Sequence, residues 1–302
     1  MTFSSPTSAP LLQHHLIGFS LPPGYLNAPP GAACEPFTGI WGDAGAALPQ
    51  LREKGVDSIE LRMIGPGADV AATASAIAKV FDNGFRLTLH GLLPAEGCAA
   101  SDPVGFPLWG VADQVRERQG ETMVTVHARF SRDLDASVDT LLARTVDDLK
   151  ALAEETRRQR APYRYALEIS KFKKKVDPSF TWEGVAEMVA RVDDPLVGIC
   201  WDFGHAFFNV KAGLIDPTPP AAFVERVVHT HIHDLGPTGQ THWPLTEGRL
   251  PLADYCRLLR ESNYCGVFNL EPEPGRYAEE AEIGERLFQS VALLAEQKGS
   301  WQ

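Results

Sequence analysis

Cysteine is scarce and unpatterned. Cys34, Cys98, Cys200, Cys256 and Cys265 form no CxxC and are odd in number, so they outline neither a disulfide framework nor a thiolate zinc site. A reducing compartment is the expectation, with the cytoplasm as location. Basic residues are also in deficit, 28 Lys plus Arg against 39 Asp plus Glu, for a formal net charge of -11. Such a surface has no general attraction for a phosphate backbone, which tilts the choice of partner away from nucleic acid and toward a small molecule. No apolar run approaches the roughly 18 residues of a membrane-spanning helix. The opening MTFSSPTSAPLLQHHLIGFSLPPGYL lacks a basic leading region, and Gln13, His14 and His15 interrupt its apolar stretch, so it reads as no signal peptide. Neither a repeat nor a linker-like shift in composition divides the chain. The expectation is one domain over residues 1–302, with about 1–14 as an N-terminal extension.

What is present is a recurring alternation. Short apolar, β-rich runs occur at 16–19, 58–61, 86–90, 122–127, 163–168, 196–202, 227–232 and 266–271. Amphipathic stretches separate them, the clearest at 138–152, where Val138, Leu141, Leu142, Thr145, Leu149 and Leu152 keep a helical stripe. Others are read at 69–81, 182–192, 252–260 and 278–296, and long Pro/Gly-rich loops at 21–39, 91–107 and 213–220. Strand and helix alternating through the length predict a parallel sheet covered by helices, and eight such units predict a closed (β/α)8 TIM barrel.

The polar residues fall in a pattern of their own. Glu60, His90, His127, Glu168, Asp202, His231 and Glu271 each lie at or near the end of a different strand candidate, spaced by 30, 37, 41, 34, 29 and 40 residues. One strand-helix unit is about that long, so each step around a barrel returns a potential ligand or acid/base group to the same rim. Carboxylates and imidazoles collected there repel or lose hydration unless a cation or protons compensate them, and a divalent metal is the simplest compensation. With oxygen and nitrogen donors and no cysteine in the set, Mn, Co, Mg or Zn all suit. Two local motifs add to this: Asp202-Phe203-Gly204-His205, and the run His229 to Asp234, whose period-two geometry puts His229, His231 and His233 on one strand face, with His229 a layer deeper.

In these residues the sequence resembles the xylose isomerase-like barrels, which include sugar isomerases and epimerases and also abasic-site nucleases of the endonuclease IV type. The resemblance rests on Glu168 in LEIS, Asp202 and His205 as DxxH, His231 and Asp234 as HxxD, and Glu271 in NLEPEPG. It implies one divalent metal on Glu168, Asp202, His231 and Glu271, with Glu168 and Glu271 also acting as acid and base on a sugar, a sugar phosphate or a keto-polyol. The metal then stabilises the enediolate formed when the α-proton leaves. His205, by the same resemblance, contacts substrate oxygens, and Arg249 lies where relatives place a substrate-contacting arginine. Family members that dehydrate polyol-derived ketones share these ligands, and many members form homo-oligomers.

The nuclease branch holds three zinc ions, and His90, His127 and His242 fall where its additional ligands lie. The aspartate that precedes the histidine in that branch is Gln240 here, a poor zinc donor. Lys171 opens the run KFKKK beside Glu168, a reader of phosphate or carboxylate in either branch, or a solvated loop. Trp109 and Trp243, in loop contexts, are candidate pocket walls, whereas Trp201 alternates with Asp202 and is expected to face the helix layer.

Overall fold

The computed structural model describes residues 15–299 apart from 30, 33, 35 and 278–281. Eight strands form in chain order: β1 (Leu16–Leu21), β2 (Ser58–Ile64), β3 (Arg86–Gly91), β4 (Thr122–Val126), β5 (Tyr163–Glu168), β6 (Val197–Asp202), β7 (Val227–Ile232) and β8 (Val267–Leu270). Each pairs in parallel with the next and β8 returns to β1, so the sheet closes as a TIM barrel. Nearly every strand residue is buried, because the sheet is covered by helices outside and filled by side chains within. Trp201 shows the two-sided burial. It packs on Trp182 at 5.7 Å and Tyr255 at 4.8 Å, in the helix layer.

The helices form where an apolar stripe meets a capping residue. Val138–Gln159 buries Leu141, Leu142, Val146, Leu149 and Leu152, and the Ser137 hydroxyl accepts the Thr140 N–H at its start. Trp182–Val192 is capped by Thr181 and buries Trp182, Val185, Met188, Val189 and Val192. Val70–Asp82 and Leu252–Glu261 fall where the stripes predict them, and the stripe read at 278–296 becomes Ile283–Gly299. Other helices arise without that signal. Ala44–Glu53 contains Pro49, and Ala112–Gln119 buries only Ala112 and Val115. Phe203–Lys211 starts on the residue after β6, capped by Asp202 itself. The long loop read at 21–39 holds a short helix, Pro23–Asn27, and the first turn of another, Phe37–Trp41. The extension read over 1–14, His14 included, lies outside the described residues.

Inside the barrel, below its C-terminal rim, the filling is not aliphatic throughout. Ser20, Glu60, Thr88, Thr125, His229 and Asn269 are all at most 5% exposed there.

Candidate metal centre

Parallel strands deliver their last residues to one end, and here those residues are the polar ones. Glu168 ends β5, Asp202 ends β6, His231 is the penultimate residue of β7, and Glu271 follows β8 directly. Sheet register sets Asp202 opposite His231. The four are at most 5% exposed, and one donor atom from each lies within 4.8 Å of all the others. His231 Nδ1 stands 3.4 Å from Glu168 Oε2 and 3.3 Å from Glu271 Oε2. Both oxygens of Glu168, Asp202 Oδ2, His231 Nδ1 and Glu271 Oε2 are buried without a hydrogen-bond partner. Orphaned atoms of that kind carry a desolvation penalty, and a divalent cation is the group that this donor set fits.

The electrostatics run the same way. Burial works against ionisation of Glu168 and Glu271, yet the imidazoles of His127 and His231 beside the first, and of His231 and His242 beside the second, hold both carboxyls well below the usual carboxylate range. Both glutamates are thereby kept charged in a buried pocket. His205, on the first turn of its helix, donates its backbone N–H to Asp202 Oδ1 at 2.7 Å. Its ring Nδ1 lies 3.1 Å from Glu168 Oε1 and 3.0 Å from Asp202 Oδ2.

Further imidazoles crowd the same mouth. His90 sits between the two glutamates, Nε2 at 3.5 Å from Glu168 Oε2 and Nδ1 at 3.6 Å from Glu271 Oε1, and its Nε2 is 3.1 Å from His127 Nε2. His90, His127 and Glu168 make a second grouping of possible ligands, His205, His233 and His242 a third, and Glu60, His90, His231 and Glu271 a fourth. His242 takes a left-handed backbone, φ 65, and its Nδ1 meets the Glu271 carbonyl at 3.1 Å.

The remaining sequence candidates are not drawn into this cluster. Trp109 packs at 5.7 Å on Tyr163, the first residue of β5 and so the end remote from Glu168, and its Nε1 donates to the Ala100 carbonyl at 2.7 Å. Trp243 is buried against Tyr277 at 4.9 Å, its backbone bridged to Asp234. Arg249 gives its backbone N–H to Asp234 Oδ2 at 2.8 Å and lines an outer groove with Phe207, Phe208 and Lys211. Lys171 lies 3.8 Å above the Phe208 ring, and burial lowers its pKa, helped by Arg276 and Lys173. Asp234, read within the HxxD motif, accepts the backbone N–H groups of Leu235, Arg249 and Leu250, so it ties the loop after β7.

Two participants named in the sequence patterns lie outside the ligand set that the resemblance implies. Glu60, read as a strand-end carboxylate at the rim, is instead the third residue of β2, because that strand continues to Ile64, and it reaches His229 and His231 at 3.1 and 3.0 Å from its Oε2. His233 was visible in the histidine run, and its Nε2 approaches Asp202 Oδ1 at 3.1 Å.

The family model described as xylose isomerase-like TIM barrel matches residues 48–287. An uncharacterized protein of Methanocaldococcus jannaschii is 31% identical over 98 residues, which are 30% of this chain and 31% of that protein's length. Among solved structures, a D-psicose 3-epimerase determined in the presence of D-fructose superposes with a TM-score of 0.62 at 16% identity, over 93% of this chain and 99% of that one. The 3-keto-D-glucoside 4-epimerase of E. coli gives 0.61 at 17%, with the same coverage. The D-allulose 3-epimerase of Methylomonas sp. gives 0.60 at 14%, over 95% and 98%. With its closed barrel and a family match over most of its length, this chain belongs to the xylose isomerase-like TIM barrel family.

Proposed function

We propose that the protein is a divalent-metal-dependent isomerase or epimerase of a small sugar, sugar phosphate or keto-polyol. The observation that carries this reading is the meeting of Glu168 and Glu271, from β5 and β8, with Asp202 and His231 in one buried donor set. The names of the similar structures, sugar 3- and 4-epimerases, support it. A cation on these four residues would supply Lewis-acid stabilisation of negative charge on substrate oxygens. The chain's own part is proton transfer. One ionised glutamate takes the proton α to the carbonyl, and the other, protonated from solvent before the step, gives its proton to the opposite face, which epimerises; delivery to the neighbouring carbon, as the hydroxyl proton there passes to the former carbonyl oxygen, isomerises. Burial of the two glutamates limits access of water to the carbanion, and His205, whose ring lies beside Glu168 and Asp202, is the residue we assign to hold substrate oxygens.

The test is wash-in of solvent deuterium at the substrate carbon. Glu168→Gln and Glu271→Gln are each expected to abolish exchange in a ketose that the wild type labels. Exchange that persists in both variants overturns the assignment.

A second reading, phosphodiester hydrolysis on more than one cation, is favoured by two of the further ligand groupings, those that include His127 and His242. Against it, Gln240 turns its Oε1 to the Thr238 N–H at 3.1 Å, within its own loop. Metal content of protein purified without chelator or polyhistidine tag separates the two. About one divalent ion per chain supports the isomerase reading, and two or three zinc ions support the hydrolase.

A further inference from the structure

A barrel interior is ordinarily filled by branched aliphatic side chains. In this one a carboxylate stands inside the barrel, bonded to the far ring nitrogen of His231 in the candidate metal centre. Glu60 on β2 is fully buried, and four donors from three other strands surround it. Its Oε1 accepts the Ser20 hydroxyl of β1 at 2.8 Å and the Asn269 amide of β8 at 3.0 Å. Its Oε2 faces the Nε2 atoms of His229 and His231 on β7, at 3.1 and 3.0 Å. An ionised carboxylate offers acceptors only, so both imidazoles meet it with Nε2–H. Nε2 is thereby committed to Glu60, and the ring nitrogen turned to the mouth is His231 Nδ1, which faces Glu168 and Glu271.

We infer that Glu60 is a positioning residue, which holds His231 in the Nε2–H tautomer and thereby presents Nδ1 as the imidazole donor of the metal centre. The inference rests on the reading that Glu168, Asp202, His231 and Glu271 hold a cation. A buried carboxylate is a costly filler for a barrel core, and this one is compensated by donors that use both its oxygens. The surroundings are built to keep it in place. Gly18 on β1 leaves the space that Asn269 occupies, since a Cβ there would lie 2.5 Å from Asn269 Oδ1. Asn269 in turn bridges Ser20 at 2.9 Å and Glu60. A glutamine at position 60 keeps the shape but can present an N–H to the imidazole, which favours the opposite tautomer and puts a proton on Nδ1.

The experiment is Mn2+ titration of the wild type, Glu60→Gln, Glu60→Asp and Asn269→Ala, with thermal melting of each. Glu60→Gln is expected to weaken Mn2+ binding by roughly 10- to 100-fold, the usual effect of losing the hydrogen-bond partner of a metal-bound histidine. Asn269→Ala, which removes a donor from the other oxygen only, is expected to melt lower and bind Mn2+ close to the wild-type affinity. Glu60→Asp, which keeps the acceptor, is expected to bind more tightly than Glu60→Gln, and this comparison stands in if the glutamine variant does not fold. In Zn2+-loaded protein with 15N-labelled histidine, His231 is expected to show an exchange-protected proton on Nε2. Wild-type affinity in Glu60→Gln, equal losses in Glu60→Gln and Asn269→Ala, or a His231 proton on Nδ1 each overturns the inference. A wild type that binds no Mn2+ or Zn2+ overturns instead the reading of the site on which it rests.

Discussion

Single residues at this mouth answer to neighbours that are distant in sequence. His127 lies among His90, His205 and Glu168, and burial dominates, pushing its pKa from the ordinary 6.5 to about 4. The folded state therefore binds fewer protons than the unfolded chain between those values. The stability that results is fully present above pH 6.5 and is lost as pH falls through about 4. In cation-free protein the melting temperature of His127→Gln is expected to fall less over that window than that of the wild type. Superimposable profiles would remove His127 from the account. Gly204 is constrained from the other side of the site. A Cβ at this position would lie 2.0 Å from the His233 ring, so Gly204→Ala is expected to cost about 1–3 kcal/mol in denaturant unfolding, with His233 displaced. An unchanged midpoint would show that the ring moves aside freely.

At the scale of elements, the junction of β6 with the helix Phe203–Lys211 is compressed into one residue. Asp202 ends the strand, caps the helix through Oδ1, and leaves Oδ2 for the site. Its two duties separate by substitution. Asp202→Asn keeps an oxygen for the cap but not the charge, and Asp202→Ala loses both. The alanine variant is expected to be about 1 kcal/mol less stable than the asparagine variant, the usual worth of an N-cap, while both lose cation binding. Equal stability of the two would mean that the cap contributes nothing here. The alternation of elements was legible because strands carry apolar runs and the helices Val138–Gln159 and Trp182–Val192 carry long stripes. Ala44–Glu53 and Ala112–Gln119 were not, since an internal proline in one and two buried apolar residues in the other leave little periodic signal, and tertiary packing supplies the rest.

For the whole molecule, a cation that binds the folded barrel and not the unfolded chain shifts the unfolding equilibrium by mass action. At 100 times Kd the gain is about 2.7 kcal/mol, which for a chain of this size raises Tm by roughly 1.5 °C per kcal/mol. Added Mn2+ is expected to raise the melting temperature by several degrees, and a chelator to reverse the rise. A Tm indifferent to both would set aside every reading that uses a metal. No helix of the described residues is long and apolar enough to cross a membrane.

By itself the sequence determined the barrel and the rim. Periodicity is a local property, and a parallel barrel must return every strand end to the same face, so Glu168, Asp202, His231 and Glu271 could be placed together from their spacing and their resemblance to a family. Tertiary structure decided what each side chain meets there. It put Trp109 in the helix layer instead of the mouth, and it set Glu60 beneath His231, a residue 171 positions away. Which ring nitrogen of His231 is turned to the mouth depends on that contact. Side-chain direction and imidazole tautomer are fixed by neighbours across the barrel, and local sequence carries no record of them.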